Sequence, residues 1–123
     1  MDASIKSILK NIQGIKVNGS LWLESADGHF FGPGPVELLE RIADTGSISE
    51  AAKQMKMSYK KAWELVNRLN AETNKPVVIP KAGGEKGGGS TITEEAMELI
   101  KYHRLLRVRF AAFLDEETKL LKT

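Results

Sequence analysis

Residues Thr45 to Asn70 read TGSISEAAKQMKMSYKKAWELVNRLN, and this stretch predicts two helices joined by a tight turn. Ser47 is a good N-cap, and Glu50 three residues later completes a capping-box pattern. The first helix is therefore predicted from Ile48 to about Lys56. Its buried face is predicted from apolar residues at three-and-four spacing: Ile48, Ala51, Ala52 and Met55.

The second helix of the pair is predicted over residues 58–73. Ser58 supplies its N-cap, and an apolar stripe follows at helical spacing: Ala62, Leu65, Val66 and Leu69. Two helices in this order with a short connection are typical of a helix-turn-helix, in which the second helix is the recognition helix.

The face opposite this stripe is polar. At about 100° per residue, Lys60, Glu64 and Asn67 lie opposite the stripe, with Lys61 and Arg68 on one shoulder and Tyr59 and Trp63 on the other. Trp63 lies beside Val66 and is predicted to be core. Between Ala51 and Trp63 there are four lysines and no acidic residue. This local charge favours phosphate binding, although a solvated lysine face on a packing scaffold is the alternative.

Composition limits the class of protein. The chain has 123 residues, which suits one domain, and its 41% hydrophobic and 28% charged residues are ordinary for a globular protein. No apolar run is long enough to cross a bilayer, and the N-terminus lacks a signal-peptide pattern. The chain has no cysteine, which excludes disulfides and thiolate metal sites. We therefore expect a cytoplasmic protein.

The segment before the helix-turn-helix predicts a β-hairpin within residues 14–33. Asp27-Gly28 is its turn signal, and strands are expected over about Ser20 to Gly32. Apolar residues at helical spacing also indicate a short N-terminal helix near Ile5 to Ile12. After the hairpin, Pro35 is placed as the first residue of a helix that runs to about Asp44. This helix, predicted to bury Leu38, Leu39 and Ile42, completes a three-helix core.

The segment after the helix-turn-helix predicts a β-hairpin wing over residues 76–93. Residues Pro76 to Lys81 and Ser90 to Thr93 are the strands, and five glycines lie in the seven residues 83–89 between them. Glycine lets a backbone approach a phosphate or groove closely. Nucleotide binding is disfavoured because no lysine stands immediately before Ser90, as a P-loop requires.

The last helix is predicted over residues 94–120, with Thr93 as its N-cap. Its apolar stripe contains more surface than one small domain needs, so we predict a homodimer interface at Leu99, Leu106, Phe110 and Phe113. Such a dimer would set two recognition helices roughly 34 Å apart. The alternative is that this helix folds back onto the hairpin near Leu21, Leu23 and Phe31 within one chain.

Three motifs together resemble the N-terminal DNA-binding domain of the ModE family of molybdate-responsive regulators, related to the LysR-type winged helices. They are TGSISEAA, MSYKKAW and the glycine tract followed by TIT, and the likeness runs over about Leu38 to Leu106. The resemblance implies a winged helix that binds operator DNA as a dimer, with Ser58, Tyr59 and Lys60 at the major groove and Lys86 at the wing tip.

Two departures from that family pattern affect the prediction. Glu85 displaces the wing lysine by one place, to Lys86, so wing contacts are expected to differ. The family's C-terminal oxyanion-binding region has no counterpart before Thr123. A stand-alone DNA-binding protein that does not bind molybdate is therefore expected.

Taken together, the sequence predicts a mainly α winged helix-turn-helix with small β-hairpins that acts as a transcription regulator on double-stranded DNA. The residues expected to contact DNA are Ser47, Ser58, Tyr59, Lys60, Lys61, Glu64, Asn67, Arg68 and Lys86. The alternative is a winged-helix protein-interaction module, which Glu64 and Glu72 favour because carboxylates repel phosphate. No enzyme, cofactor or metal site is expected, since His29 and His103 form no recognisable catalytic or ligand pattern.

Overall fold

The computed structural model describes residues 4–81 and 89–123. Its N-terminal part contains a short helix, α1 (Ile5–Ile8), a 3-10 turn (Ile12–Gly14) and an antiparallel hairpin of β1 (Leu23–Ser25) and β2 (Gly28–Phe31). The hairpin turns at Ala26-Asp27, and Gly28 takes a φ of 105°, which glycine adopts without steric cost. The predicted hairpin is therefore present, with shorter strands than the sequence pattern indicated.

Three helices form the core of the domain: α2 (Pro33–Thr45), α3 (Ile48–Gln54) and α4 (Tyr59–Glu72). Helix α2 begins at Pro33, two residues before the predicted start, because either proline satisfies the first turn. Its end is set by Gly46 in the left-handed region, with a φ of 72°. The shared interior is apolar and includes Phe31, Leu38, Leu39, Ile42, Ala51, Ala62, Val66 and Leu69, all fully buried.

Helix α3 is shorter than predicted. It ends at Gln54 because Lys56 adopts a φ of 55°, while Met57 N donates to Ala52 O at 3.0 Å. This is the Schellman pattern, with a lysine in the position that glycine usually fills. The capping box is half formed: Ser47 Oγ accepts from Glu50 N at 3.0 Å, but the Ser47 amide donates to Thr45 Oγ1 instead of to Glu50.

The wing consists of β3 (Val78–Pro80) and β4 (Ser90–Ile92), paired antiparallel. Its base is attached to the helical core, since Ser90 N donates to Gly46 O at 2.9 Å and Asn70 Oδ1 accepts from Val77 N at 2.8 Å. The wing therefore emerges beside the turn that precedes α3. The glycine-rich tip lies outside the described residues.

The chain ends in a long helix, α5 (Glu94–Lys122), which begins at the N-cap Thr93. Its first turns bury Ala96, Ile100 and His103 against the core. Farther along, the N-terminal segment runs beside it: Val17 N donates to Thr118 Oγ1 at 2.8 Å, and Lys122 Nζ to Gln13 O at 2.9 Å. Among the described residues, none of the helices is long and apolar enough to cross a membrane.

Candidate nucleic-acid interface

Helix α4 is amphipathic, and its polar face points away from the core. Ser58 Oγ caps the helix by accepting from Lys61 N at 3.0 Å. Ala62, Val66 and Leu69 are fully buried, whereas the predicted contact residues opposite them are all exposed: Lys60, Lys61, Glu64 and Asn67. The sequence periodicity therefore oriented this helix correctly.

The exposed lysines concentrate positive charge at the start of α4. In the described part of the chain, no carboxylate lies within ion-pair distance of Lys56, Lys60 or Lys61, and Lys53 has only a long contact of 3.7 Å with Glu50. The N-terminus of a helix carries a partial positive charge as well. The lysine side chains and the N-terminus of α4 thus contribute positive charge to the same surface, which favours the binding of phosphate groups.

Arg68 does not share this surface. Its guanidinium forms an ion pair with Glu72, donates to Ser25 Oγ at 3.1 Å and Gly28 O at 2.9 Å, and lies 5.6 Å from the centre of the Phe30 ring. These contacts tie α4 to the N-terminal hairpin. Since both of its Nη atoms donate within the chain, this placement does not support the DNA contact expected for Arg68.

Glu72 belongs to the same network. The Ser25 hydroxyl donates to Glu72 Oε2 at 2.6 Å, and this hydrogen bond, followed by the one from Arg68, holds the pKa of Glu72 below its ordinary value. The negative charge of Glu72 is therefore compensated by partners within the chain. It no longer supports the protein-interaction alternative, because it does not face a phosphate.

Trp63 is not in the core, contrary to the sequence-based prediction. Its side chain is 37% exposed and meets the ring of Tyr59 edge-on, with centroids 6.2 Å apart. Both rings lie on the wing side of α4, where they line a cleft of about 410 Å³ with Ile79 and Pro80 of β3. The buried side of α4 is filled by Ala62, Val66 and Leu69.

The remaining predicted DNA contacts are placed less directly. Ser47 lines the same cleft, and its hydroxyl caps α3. Ser58 is exposed at the start of α4. Lys86 lies outside the described residues.

The predicted dimer residues on α5 do not share one exposed surface. Leu99 packs against the core, Leu106 and Phe110 are half-buried, and Phe110 approaches Gly19 of the N-terminal segment. Residues 13–19 of the N-terminal segment run beside this stripe, so part of the apolar surface that was predicted to meet a partner is covered within the chain. Of the four residues, only Phe113 is exposed.

A different face of α5 is apolar and open to solvent. We call it the outer face; it consists of Tyr102, Leu105, Phe113 and Leu120, each about half exposed. These residues repeat on one side of the helix at about 100° per residue. Sequence reasoning did not name Tyr102 and Leu105 because the half-buried stripe beside them has a more regular spacing.

The two histidines make packing and ion-pair contacts with neighbouring residues. His29 pairs with Glu24 at 2.9 Å and stacks on Trp22 with centroids 5.3 Å apart. His103 is buried against the edge of Phe31, and neither of its ring nitrogens has a hydrogen-bond partner in the described part of the chain. Neither histidine adjoins a nucleophile in the contacts described.

Comparison with known proteins gives a family match and several relatives. The family of bacterial regulatory helix-turn-helix proteins of the lysR type matches residues 35–97. The chain is 35% identical over 86 residues to the molybdenum transport protein ModE of Azotobacter vinelandii, covering 70% of this chain and 32% of that protein. It is 39% identical over 77 residues to the DNA-binding transcriptional dual regulator ModE of Escherichia coli K12, covering 63% and 29% respectively.

A third relative has a different name. The molybdenum-pterin-binding protein MopB of Rhodobacter capsulatus is 38% identical over 86 residues, which cover 70% of this chain and 32% of MopB. The chain thus spans about a third of the length of these relatives. The family match over residues 35–97 includes α3, α4 and the wing strands, which carry the surface described above.

Proposed function

Because the chain belongs to the lysR family of bacterial regulatory helix-turn-helix proteins, we propose that it is a sequence-specific transcription regulator that places α4 in the DNA major groove. The observation that carries this proposal is the group of exposed lysines, without ion-pair partners in the described chain, at the start of α4. In this proposal the residues that contact DNA are Ser47, Ser58, Tyr59, Lys60, Lys61, Glu64 and Asn67. Lys86 remains a predicted wing contact, and Arg68 is left out.

The salt dependence of duplex binding tests this proposal. Each lysine that neutralises a phosphate contributes about 0.9 to the slope of log affinity against log salt concentration. Lys60→Ala with Lys61→Ala should therefore flatten the slope by about 1.8 and weaken binding on all sequences. Lys75→Ala is the matched control, since Lys75 is an exposed lysine beyond the other end of α4.

The same titration separates the two function classes. A protein-interaction module would bind no duplex in a salt-dependent manner. An unchanged slope in the double variant, with the control also unchanged, would remove α4 from the interface.

We further propose that the working unit is a homodimer joined through the outer face of α5. Arg109 and Glu116 interrupt this face, and both are exposed with no ion-pair partner in the described chain. If two copies cross antiparallel near Ala112 and Phe113, Arg109 of one protomer meets Glu116 of the other. Leu105 then faces Leu120. The spacing of apolar and charged residues thus matches a second copy of the same helix.

Charge exchange tests this arrangement by sedimentation. Arg109→Glu should shift the protein toward monomer through like-charge repulsion, as should Glu116→Arg, and the double exchange should restore the dimer. Phe113→Asp should also dissociate it, whereas Val108→Asp is a control on an exposed position off the outer face. A wild-type monomer at tens of micromolar protein would reject the dimer.

Control by molybdate is not part of this proposal. Binding of a tetrahedral oxyanion needs several donors that converge in a pocket, whereas the free lysines of α4 point outward. We expect molybdate to leave the melting temperature and the DNA affinity of this chain unchanged. A saturable rise in either at micromolar molybdate would overturn that expectation.

A further inference from the structure

Two aromatic side chains lie exposed on the helix that is proposed to face DNA. Tyr59 is 55% exposed and Trp63 37% exposed, and they support each other edge-on. Core packing does not account for them, because the buried side of α4 is filled by other residues. Exposed aromatic rings of this size are costly in water and are typical of binding surfaces.

On the wing side, the two rings border a cleft that is lined by apolar residues of β3 and by Ser47, Ser49 and Ser90. Ile79, itself 39% exposed, and Pro80 form the opposite wall of the cleft. Polar and cationic residues lie on the other side of the rings, at Lys60 and Glu64. On α4 itself, the two exposed rings therefore form an apolar strip on the wing side, next to a polar strip along the middle of the helix.

The major groove offers an apolar group that carries sequence information, namely the 5-methyl group of thymine. We propose that Tyr59 and Trp63 read thymine methyl groups at the side of the groove nearest the wing. This inference rests on the proposed function, because it needs α4 in the major groove. It assigns the two rings to base discrimination and leaves phosphate binding to the lysines.

Deoxyuridine substitution isolates the methyl group, since uracil keeps the hydrogen-bonding groups of thymine. A duplex selected from random sequences by the wild-type protein is resynthesised with each thymine replaced in turn by deoxyuridine. Removing one buried methyl should weaken wild-type binding by about four-fold. At the same position, Trp63→Ala should bind the thymine duplex less well and lose nothing further with deoxyuridine.

Two control variants make the result specific. Lys60→Ala should bind both duplexes more weakly but keep the four-fold ratio, because it removes a phosphate contact. Tyr59→Phe should keep the ratio as well, since the ring remains. Tyr59→Ala serves as the second test variant, because its side chain is more exposed than that of Trp63 and its loss disturbs the fold least.

The outcomes distinguish this inference from the proposed function. If no duplex is bound in a salt-dependent manner, the proposed function fails. If duplexes are bound but every deoxyuridine is neutral, the rings do not read methyl groups and only this inference fails. A four-fold ratio that persists in both Trp63→Ala and Tyr59→Ala would place methyl readout on other residues and would also overturn it.

Discussion

Replacing Gly32 with alanine should weaken the attachment of the N-terminal segment to α2. A Cβ atom at this position would lie 2.3–2.6 Å from three ring atoms of Trp22, so the indole must move. Trp22 is 38% exposed, so its ring buries about 150 Å², and releasing it fully would cost about 4 kcal/mol. Overpacking costs about 1–3 kcal/mol when neighbours shift in part. We therefore expect Gly32→Ala to lower the free energy of unfolding by about 2 kcal/mol.

Urea denaturation followed by circular dichroism measures this loss, and two further variants identify its cause. Gly34→Ala is the matched control, because a Cβ there meets nothing within 4 Å. In a Trp22→Ala background, Gly32→Ala should cost less than about 0.5 kcal/mol, because the clash is gone. An equal cost in both backgrounds would refute the steric argument, since Gly32 has an extended backbone that any residue adopts.

Three further predictions concern single side chains. Glu72→Gln should lower the melting temperature at neutral pH. Because the pKa of Glu72 is lowered in the folded protein, its carboxylate stabilises the fold at pH values above the ordinary pKa of 4.5. This stabilisation is lost as the pH falls through the folded-state pKa. The melting temperatures of the wild-type protein and the variant should therefore converge at acidic pH. A difference in melting temperature that stays constant with pH would contradict this explanation. His103→Leu should raise the free energy of unfolding by about 1–2 kcal/mol in urea titration, because it removes an unpaired buried polar group; a loss would indicate a hidden partner. Gly46→Ala should cost about 1–2 kcal/mol because of its positive φ, and Gly46→Asn less, as denaturation would show.

Local signals predicted much of the helical core from the sequence. The N-caps Ser47, Ser58 and Thr93 each accept the expected backbone hydrogen bond. Capping and helical periodicity depend on residues within one or two turns, so they are visible without the fold. The end of α3 was not predictable in this manner, because Lys56 is a lysine in a conformation that usually requires glycine.

Tertiary contacts account for most of the differences at the candidate site. Arg68 lies on a shoulder of α4 that periodicity assigns to solvent, but the N-terminal hairpin covers it. Trp63 was expected inside because it lies beside Val66, whereas Ala62, Val66 and Leu69 already fill the buried side of α4. The half-buried stripe of α5 was expected to meet a partner. Its contact with the N-terminal segment was not foreseen, because that contact joins distant parts of the chain. Patterns within one helix do not contain such information.

The hydrogen bond from Ser90 N to Gly46 O also has a consequence for the order in which parts of the chain fold. Helices α2, α3 and α4 are neighbours along the chain, whereas this bond closes a long loop. Loop closure is entropically costly, so docking of the wing is expected to follow assembly of the helices during folding. The reverse step, local opening of the wing, would break this bond and expose Val78 of β3, which is part of the buried core. The rate at which the Ser90 amide hydrogen exchanges with solvent should therefore report whether the wing is docked on the helical core.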